Sequence, residues 1–119
     1  MDIEAIHEFV LHLHPQVAAT QPFGPGTLVF KIVGKVFMLL SLDEVPTRIN
    51  LKCEPDRAVE LRESYAAIIP GYHMNKKHWN TIIIDGTLQR SFIQEMIRDS
   101  YELVVAKLPK KQKEALERS

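Results

Sequence analysis

The sequence predicts an α+β domain: a single antiparallel sheet with helices packed on one face. Three observations predict it. The runs "TLVFKIV" and "VFMLLSL" flank a tight connection at Gly34-Lys35, which reads as a hairpin with Gly first in a type II′ turn. The segment "VPTRINLKC" follows at once and sets Thr47, Ile49 and Leu51 against Arg48, Asn50 and Lys52, the alternation of a half-buried strand. Segments with helical spacing stand at the start, middle and end of the chain, so strands and helices do not alternate as a parallel sheet requires.

The elements follow in order. Asp2 caps a first helix in which Ile3, Ile6, Val10 and Leu13 form an apolar stripe with Phe9 beside it, and Pro15 lies just beyond its end. His7, His12 and His14 fall mostly off that stripe and read as solvated. "QPFGPG" is a loop that Phe23 anchors, too short and proline-rich to cradle phosphate. After the hairpin and third strand, "EPDRAVELRESYAAI" forms a second helix. Pro55 sits near its first position, where a missing N–H costs nothing. Ala58, Leu61 and Tyr65, then Ile68 or Ile69, face inward, and Pro70-Gly71 ends it. "WNTIIID" is the last strand, closed by a turn at Asp85-Gly86. A third helix begins between Thr87 and Ser91, where Ser91 and Gln94 have capping-box spacing. Its apolar face runs from Phe92 to Leu108; Pro109 interrupts it, and "KKQKEALERS" is a short basic helix or tail. The order is helix, three strands, helix, strand, helix, in one domain spanning residues 1–119.

Side chains alternate across a strand. If helices cover Leu28, Phe30, Ile32, Met38, Leu40, Leu42, Ile49, Leu51, Ile82 and Ile84, then Lys31, Ser41, Arg48, Asn50, Lys52, Trp79 and Thr81 share the opposite face. That face is polar and basic with one large aromatic residue. It suits nucleic acid held by phosphate contacts and stacking, an ordinary solvated surface, or a dimer surface centred on Trp79.

Composition narrows the function classes. With 45% hydrophobic and 25% charged residues the 119-residue chain has the balance of a globular domain. It is long enough to fold without metal or disulfide. One cysteine, Cys53, excludes an intrachain disulfide and fits a reducing compartment. The first residues carry acids where a signal peptide needs bases, and no apolar run is long enough to span a bilayer, so the expected location is cytoplasmic. Fifteen bases balance fifteen acids. Residues 1–26 carry three acids and no base, whereas residues 73–119 carry nine bases and six acids. Overall neutrality argues against strong nonspecific nucleic-acid binding, and the basic final portion leaves room for a local patch.

Chemistry-bearing residues concentrate in "GYHMNKKHWNTIIIDG". His73 and His78 are five apart, which suits neither i,i+4 on a helix nor one face of a strand, and no third ligand stands close enough for a metal site. Cys53 reads as a small buried hydrophobe, and the chain lacks both a nucleophile elbow and a glycine-rich phosphate loop. No catalytic residue and no cofactor is expected. The stretch has two further readings. Lys76 and Lys77 reach phosphates, Asn75 and His78 donate hydrogen bonds and Trp79 stacks a base. Alternatively, Asn75 fixes a turn, the lysines are solvated and Trp79 packs on a neighbouring strand.

"GYHMNKKHWNTIIIDG", "PFGPGTLVFKIVGKVFMLL", "INLKCEPDRAVELRE" and "SYELVVAKLPKK" together resemble the MmcQ/YjbR family of small bacterial proteins over nearly the whole chain. The resemblance implies a CyaY-like α+β domain, also grouped with secretion-chaperone-like folds. It implies no known catalytic residue or cofactor, and DNA binding is the role commonly attached to such proteins. A frataxin-like iron role would want an acidic ridge, for which the first helix offers only Asp2, Glu4 and Glu8. The expectation is a non-enzymatic DNA-binding module using Asn75, Lys76, Lys77, His78 and Trp79, helped by Lys31, Arg48 and Lys52. The alternative is a protein-interaction module, chaperone-like or homodimeric, that uses the open sheet face.

Overall fold

The computed structural model describes residues 1–71 and 74–119. These form α1 (Ile3–Leu11), β1 (Ala18–Thr20), β2 (Thr27–Ile32), β3 (Lys35–Ser41), β4 (Thr47–Lys52), α2 (Pro55–Ser64), β5 (Ile68–Pro70), β6 (Trp79–Ile84), α3 (Arg90–Ala106) and α4 (Lys110–Glu117). The strands make one antiparallel sheet in the order β1-β2-β3-β4-β6-β5. The α+β class and the element order match the sequence reading, with two short edge strands and a fourth helix added.

The predicted covered face is the core. Phe30, Ile32, Met38, Leu40, Ile49, Leu51 and Ile82 are buried against Ile6 and Val10 of α1, Leu61 of α2, and Ile93, Ile97 and Val104 of α3. Leu28, Leu42 and Ile84 pack against the same cluster. Each fully buried large apolar side chain contributes roughly 1.5–3 kcal/mol, so this face dominates stability. On α1 the carboxylate of Asp2 accepts the Ala5 N–H at 2.8 Å, the predicted cap.

Local chemistry corrects several expectations. Ile32 pairs with Lys35, so the hairpin turn is Val33-Gly34 rather than Gly34-Lys35. Both residues have positive φ, +50° and +73°, which makes the turn type I′. Branched residues rarely adopt that conformation, and Val33 holds it while packed against the core. The second helix stops at Ser64, and Ile68–Pro70 pairs with β6 instead of extending it. Pro70 is tolerated there because β5 is an edge strand, where no ladder N–H is missed. The Ser91–Gln94 capping box does not form: α3 starts at Arg90, and the N–H groups of Phe92 and Ile93 donate to the Gln89 carbonyl.

The first helix's histidines are only partly solvated. His7 is half-buried with its ring 5.7 Å from that of Phe30, and His14 Nε2 lies 2.8 Å from the Leu116 carbonyl of α4. Phe23 does not anchor its loop; it is 76% exposed. Among the described residues no helix is long and apolar enough to cross a membrane.

One irregularity in the sheet sets up the site. Phe30 and Lys31 are neighbours on β2, but their partners Met38 and Val36 are two apart on β3. Phe37 is the extra residue of a β-bulge. Simple alternation would put it on the open face with Leu39. Instead it is fully buried in the core and meets Tyr101 of α3 edge-on at 5.4 Å.

Candidate nucleic-acid interface

Antiparallel pairing brings the ends of β2 and β4 beside the starts of β3 and β6. Lys31 pairs with Val36, Ile32 with Lys35, and Lys52 with Trp79, so this edge of the sheet collects lysines. The C-terminal half of α3 is fastened to the same place through Ser100. The hydroxyl of Ser100 donates to the Phe37 carbonyl and accepts the Lys52 N–H at 2.9 Å. By register, Phe37 and Lys52 are the next rung of the β3–β4 ladder beyond Met38 and Leu51. The hydroxyl is therefore inserted where a direct backbone bond would otherwise close.

The result is a cleft of about 570 Å³ lined by Lys35, Lys52, Lys107 and Gln112, with Val36, Val104, Leu108 and Pro109 as its apolar wall. Among the described residues its lining holds three lysines and no carboxylate. Lys107 caps the C-terminal end of α3, where a cation is favoured, and the first turn of α4 borders the cleft through Pro109 and Gln112.

The predicted site residues divide. Lys52 lines this cleft. Asn75 fixes a turn: its carbonyl accepts the N–H groups of His78 and Trp79 at 3.1 and 2.9 Å, and its side-chain oxygen accepts the Lys77 N–H at 3.0 Å. Lys76 and Lys77 are exposed on that turn, and Arg62 of α2 donates to the Lys76 carbonyl at 3.2 Å. His78 is half-buried, and its carbonyl accepts the Cys53 N–H at 2.7 Å at the end of β4, which places the turn beside Lys52.

Trp79 is not available for stacking. It is only 8% exposed, and its Cβ would lie 3.0 Å from a Cβ built on Gly71. The open-face reading that exposed this ring is thereby corrected. Thr81 is buried as well, at 7% exposure, and donates to Asn50 Oδ1 at 2.6 Å across the β4–β6 pair.

Lys31 shares the lysine-rich end but is separated from Lys52 by β3, about 10 Å for two strand spacings. Arg48 does not join the group. It stands four residues from Lys52, about 13 Å along the strand, and pairs with Glu44 at 3.0 Å. His73, weighed with His78 and set aside as a metal ligand on spacing, lies outside the described residues; among those described no group of three or more His, Cys, Asp or Glu could hold a metal ion.

Sequence reasoning missed Lys35, Lys107 and Gln112. The bulge at Phe37 and the docking of α3 bring them together, and neither leaves a periodic signal. The nearest sequence signal was the concentration of bases after residue 73.

Comparison with known proteins places this geometry in context. A family model described as YjbR matches residues 14–103. The chain is 43% identical over 115 residues to the uncharacterised protein YbdF of Escherichia coli O157:H7, covering 93% of each chain. It is 31% identical over 86 residues to the uncharacterised protein YjbR of Escherichia coli K12, covering 72% of this chain and 73% of that one. Among solved structures, a Deinococcus radiodurans protein with a DUF419 domain superimposes with a TM-score of 0.88 at 36% identity, covering 97% of this chain and 87% of that one. A Pseudomonas syringae protein does so with a TM-score of 0.76 at 26% identity, covering 87% and 98%.

Proposed function

The chain belongs to the YjbR family, and from that premise we propose that it is a non-catalytic binding protein for DNA, holding the phosphate backbone at the lysine-rich end of its sheet. One observation carries this reading: Lys35, Lys52 and Lys107 line one cleft, with no carboxylate among its described lining residues. Three lysines lining one cleft favour a polyanion, because each neutralised phosphate releases a counterion. The amino-terminal turn of α4 at the cleft adds a favourable partial charge for phosphate oxygens. Lys76 and Lys77 extend the basic surface along the neighbouring turn.

The mode differs from the one the sequence suggested. With Trp79 buried, the grip is electrostatic rather than by stacking. Base contacts carry sequence readout, and the cleft's cationic lining is suited to backbone contacts, so the preference among sequences is slight. The chain's zero net charge keeps affinity modest.

The test is fluorescence anisotropy of a labelled duplex at low salt. The wild-type protein raises the anisotropy saturably, and Lys52→Gln with Lys107→Gln weakens it by about tenfold, the effect of losing two phosphate contacts. No rise at low salt with either duplex or single strand eliminates the reading.

A further inference from the structure

A second cavity, of about 430 Å³, opens between α2 and α3 above β4 and β6. It is within the size range of small-molecule sites. Leu61, Ile82, Phe92 and Met96 form its apolar lining, with Asn80 among them. Asn80 is 1% exposed. Its Nδ2 donates to the Ala58 carbonyl at 3.3 Å, which fixes the amide's orientation because that carbonyl can only accept. Its Oδ1 is buried and has no partner among the described residues. A buried acceptor left in that state is destabilising, and such an acceptor beside an apolar cavity marks where a donor belongs.

The mouth selects the charge of that donor. Glu95, Asp99 and Glu102 recur at i, i+4 and i+7 on α3, so they share one face, and all three line the opening. Counting Glu54, four carboxylates face two cations, Lys52 and Arg57. The cluster is self-repelling: burial, followed by Glu95 and Glu102, pushes the Asp99 carboxyl above its usual range. A bound cation relieves that repulsion.

We infer that this cavity is a binding site for a small organic cation with an apolar body, whose N–H donates to Asn80 Oδ1 and whose positive charge meets Glu95, Asp99 and Glu102. It shares only Lys52 with the lysine cleft and does not depend on DNA binding.

Tryptamine is the test probe, since it carries an apolar ring with an N–H and an ammonium; indole-3-propionate keeps the ring and reverses the charge. Cys53 lines the cavity, so its alkylation by iodoacetamide reports occupancy, and calorimetry measures affinity. Tryptamine should slow alkylation saturably and bind about tenfold tighter than indole-3-propionate, as charge complementarity requires. The triple variant Glu95→Gln, Asp99→Asn, Glu102→Gln should lose that preference while its Tm holds or rises. Asn80→Leu separates fold from function: it removes the unpaired acceptor, so Tm holds or rises while tryptamine binding is lost. The inference is overturned if tryptamine gives no saturable protection. It is also overturned if indole-3-propionate binds equally well, or if the acid-free variant binds tryptamine as wild type does.

Discussion

The hydroxyl of Ser100 donates to the carbonyl of Phe37 where β3 bulges, and accepts the N–H of Lys52 from the neighbouring strand. One buried side chain thus closes a backbone rung that the bulge left open, and ties α3 to the sheet beside the lysine cleft.

Ser100→Ala leaves both backbone groups without that partner. The variant should be destabilised by about 2–4 kcal/mol, the cost of two buried unsatisfied groups. Urea unfolding measures this, and the midpoint should fall with little change in slope. A midpoint equal to wild type would show that the two groups find each other directly.

Gly71 is constrained by proximity, not by its φ. An added Cβ would meet the Trp79 Cβ at 3.0 Å and the Trp79 backbone oxygen at 3.1 Å, while the Gly71 N–H donates to that same oxygen. Gly71→Ala should cost about 1–3 kcal/mol through overpacking, read as a lower Tm. A Tm unchanged from wild type would mean the β5–β6 edge shifts at no cost.

Two carboxylates respond to pH in opposite ways. Asp85 is held below its ordinary value of 3.8 by the Thr87 side chain and then the Thr87 N–H, at 2.6 and 3.0 Å. Its contribution is present above that ordinary value and is lost as pH falls through the lower, folded-state value. Asp85→Asn should therefore lessen the acid loss of stability below about pH 4. Asp99 is raised by burial and by Glu95 and Glu102. Above its folded-state value the ionised form disfavours folding, and acidification removes the penalty. Asp99→Asn should raise the Tm at neutral pH, with the gain vanishing below the ordinary value. Tm profiles across pH check both signs.

The covered face was legible because it is periodic. Phe30, Ile32, Met38, Leu40, Ile49, Leu51 and Ile82 obey strand alternation, and alternation is a local property. The misreadings arose where a long-range contact overrode a local preference. Phe37, which the sequence reading assigned to neither face, departs from simple alternation because a bulge turns it towards Tyr101. Ile68–Pro70 looked like the end of a helix and became an edge strand because β6 offered a free ladder. Trp79 lies on the parity predicted to be open, yet is buried beside Gly71. The candidate site was half legible. Lys52 and the Asn75 turn stood out, whereas Lys35 and Lys107 are 72 residues apart in sequence and meet only after α3 docks.

The buried Trp79 gives an optical check on the binding mode. It is the chain's one tryptophan, so its emission should already be blue-shifted in the free protein. A phosphate grip should leave that emission nearly unchanged when DNA saturates the protein. Strong quenching would mean that a base reaches the ring.

The most direct measurement is the salt dependence of duplex affinity for wild type and for the Lys35→Gln, Lys52→Gln, Lys107→Gln variant. If the cleft holds three phosphates, log Kobs for wild type should fall against log salt with a slope of about −2.7. The variant should bind far more weakly and with a much shallower slope. A variant with wild-type affinity and slope, or a wild type that does not bind at low salt, would contradict the assignment of the lysine cleft.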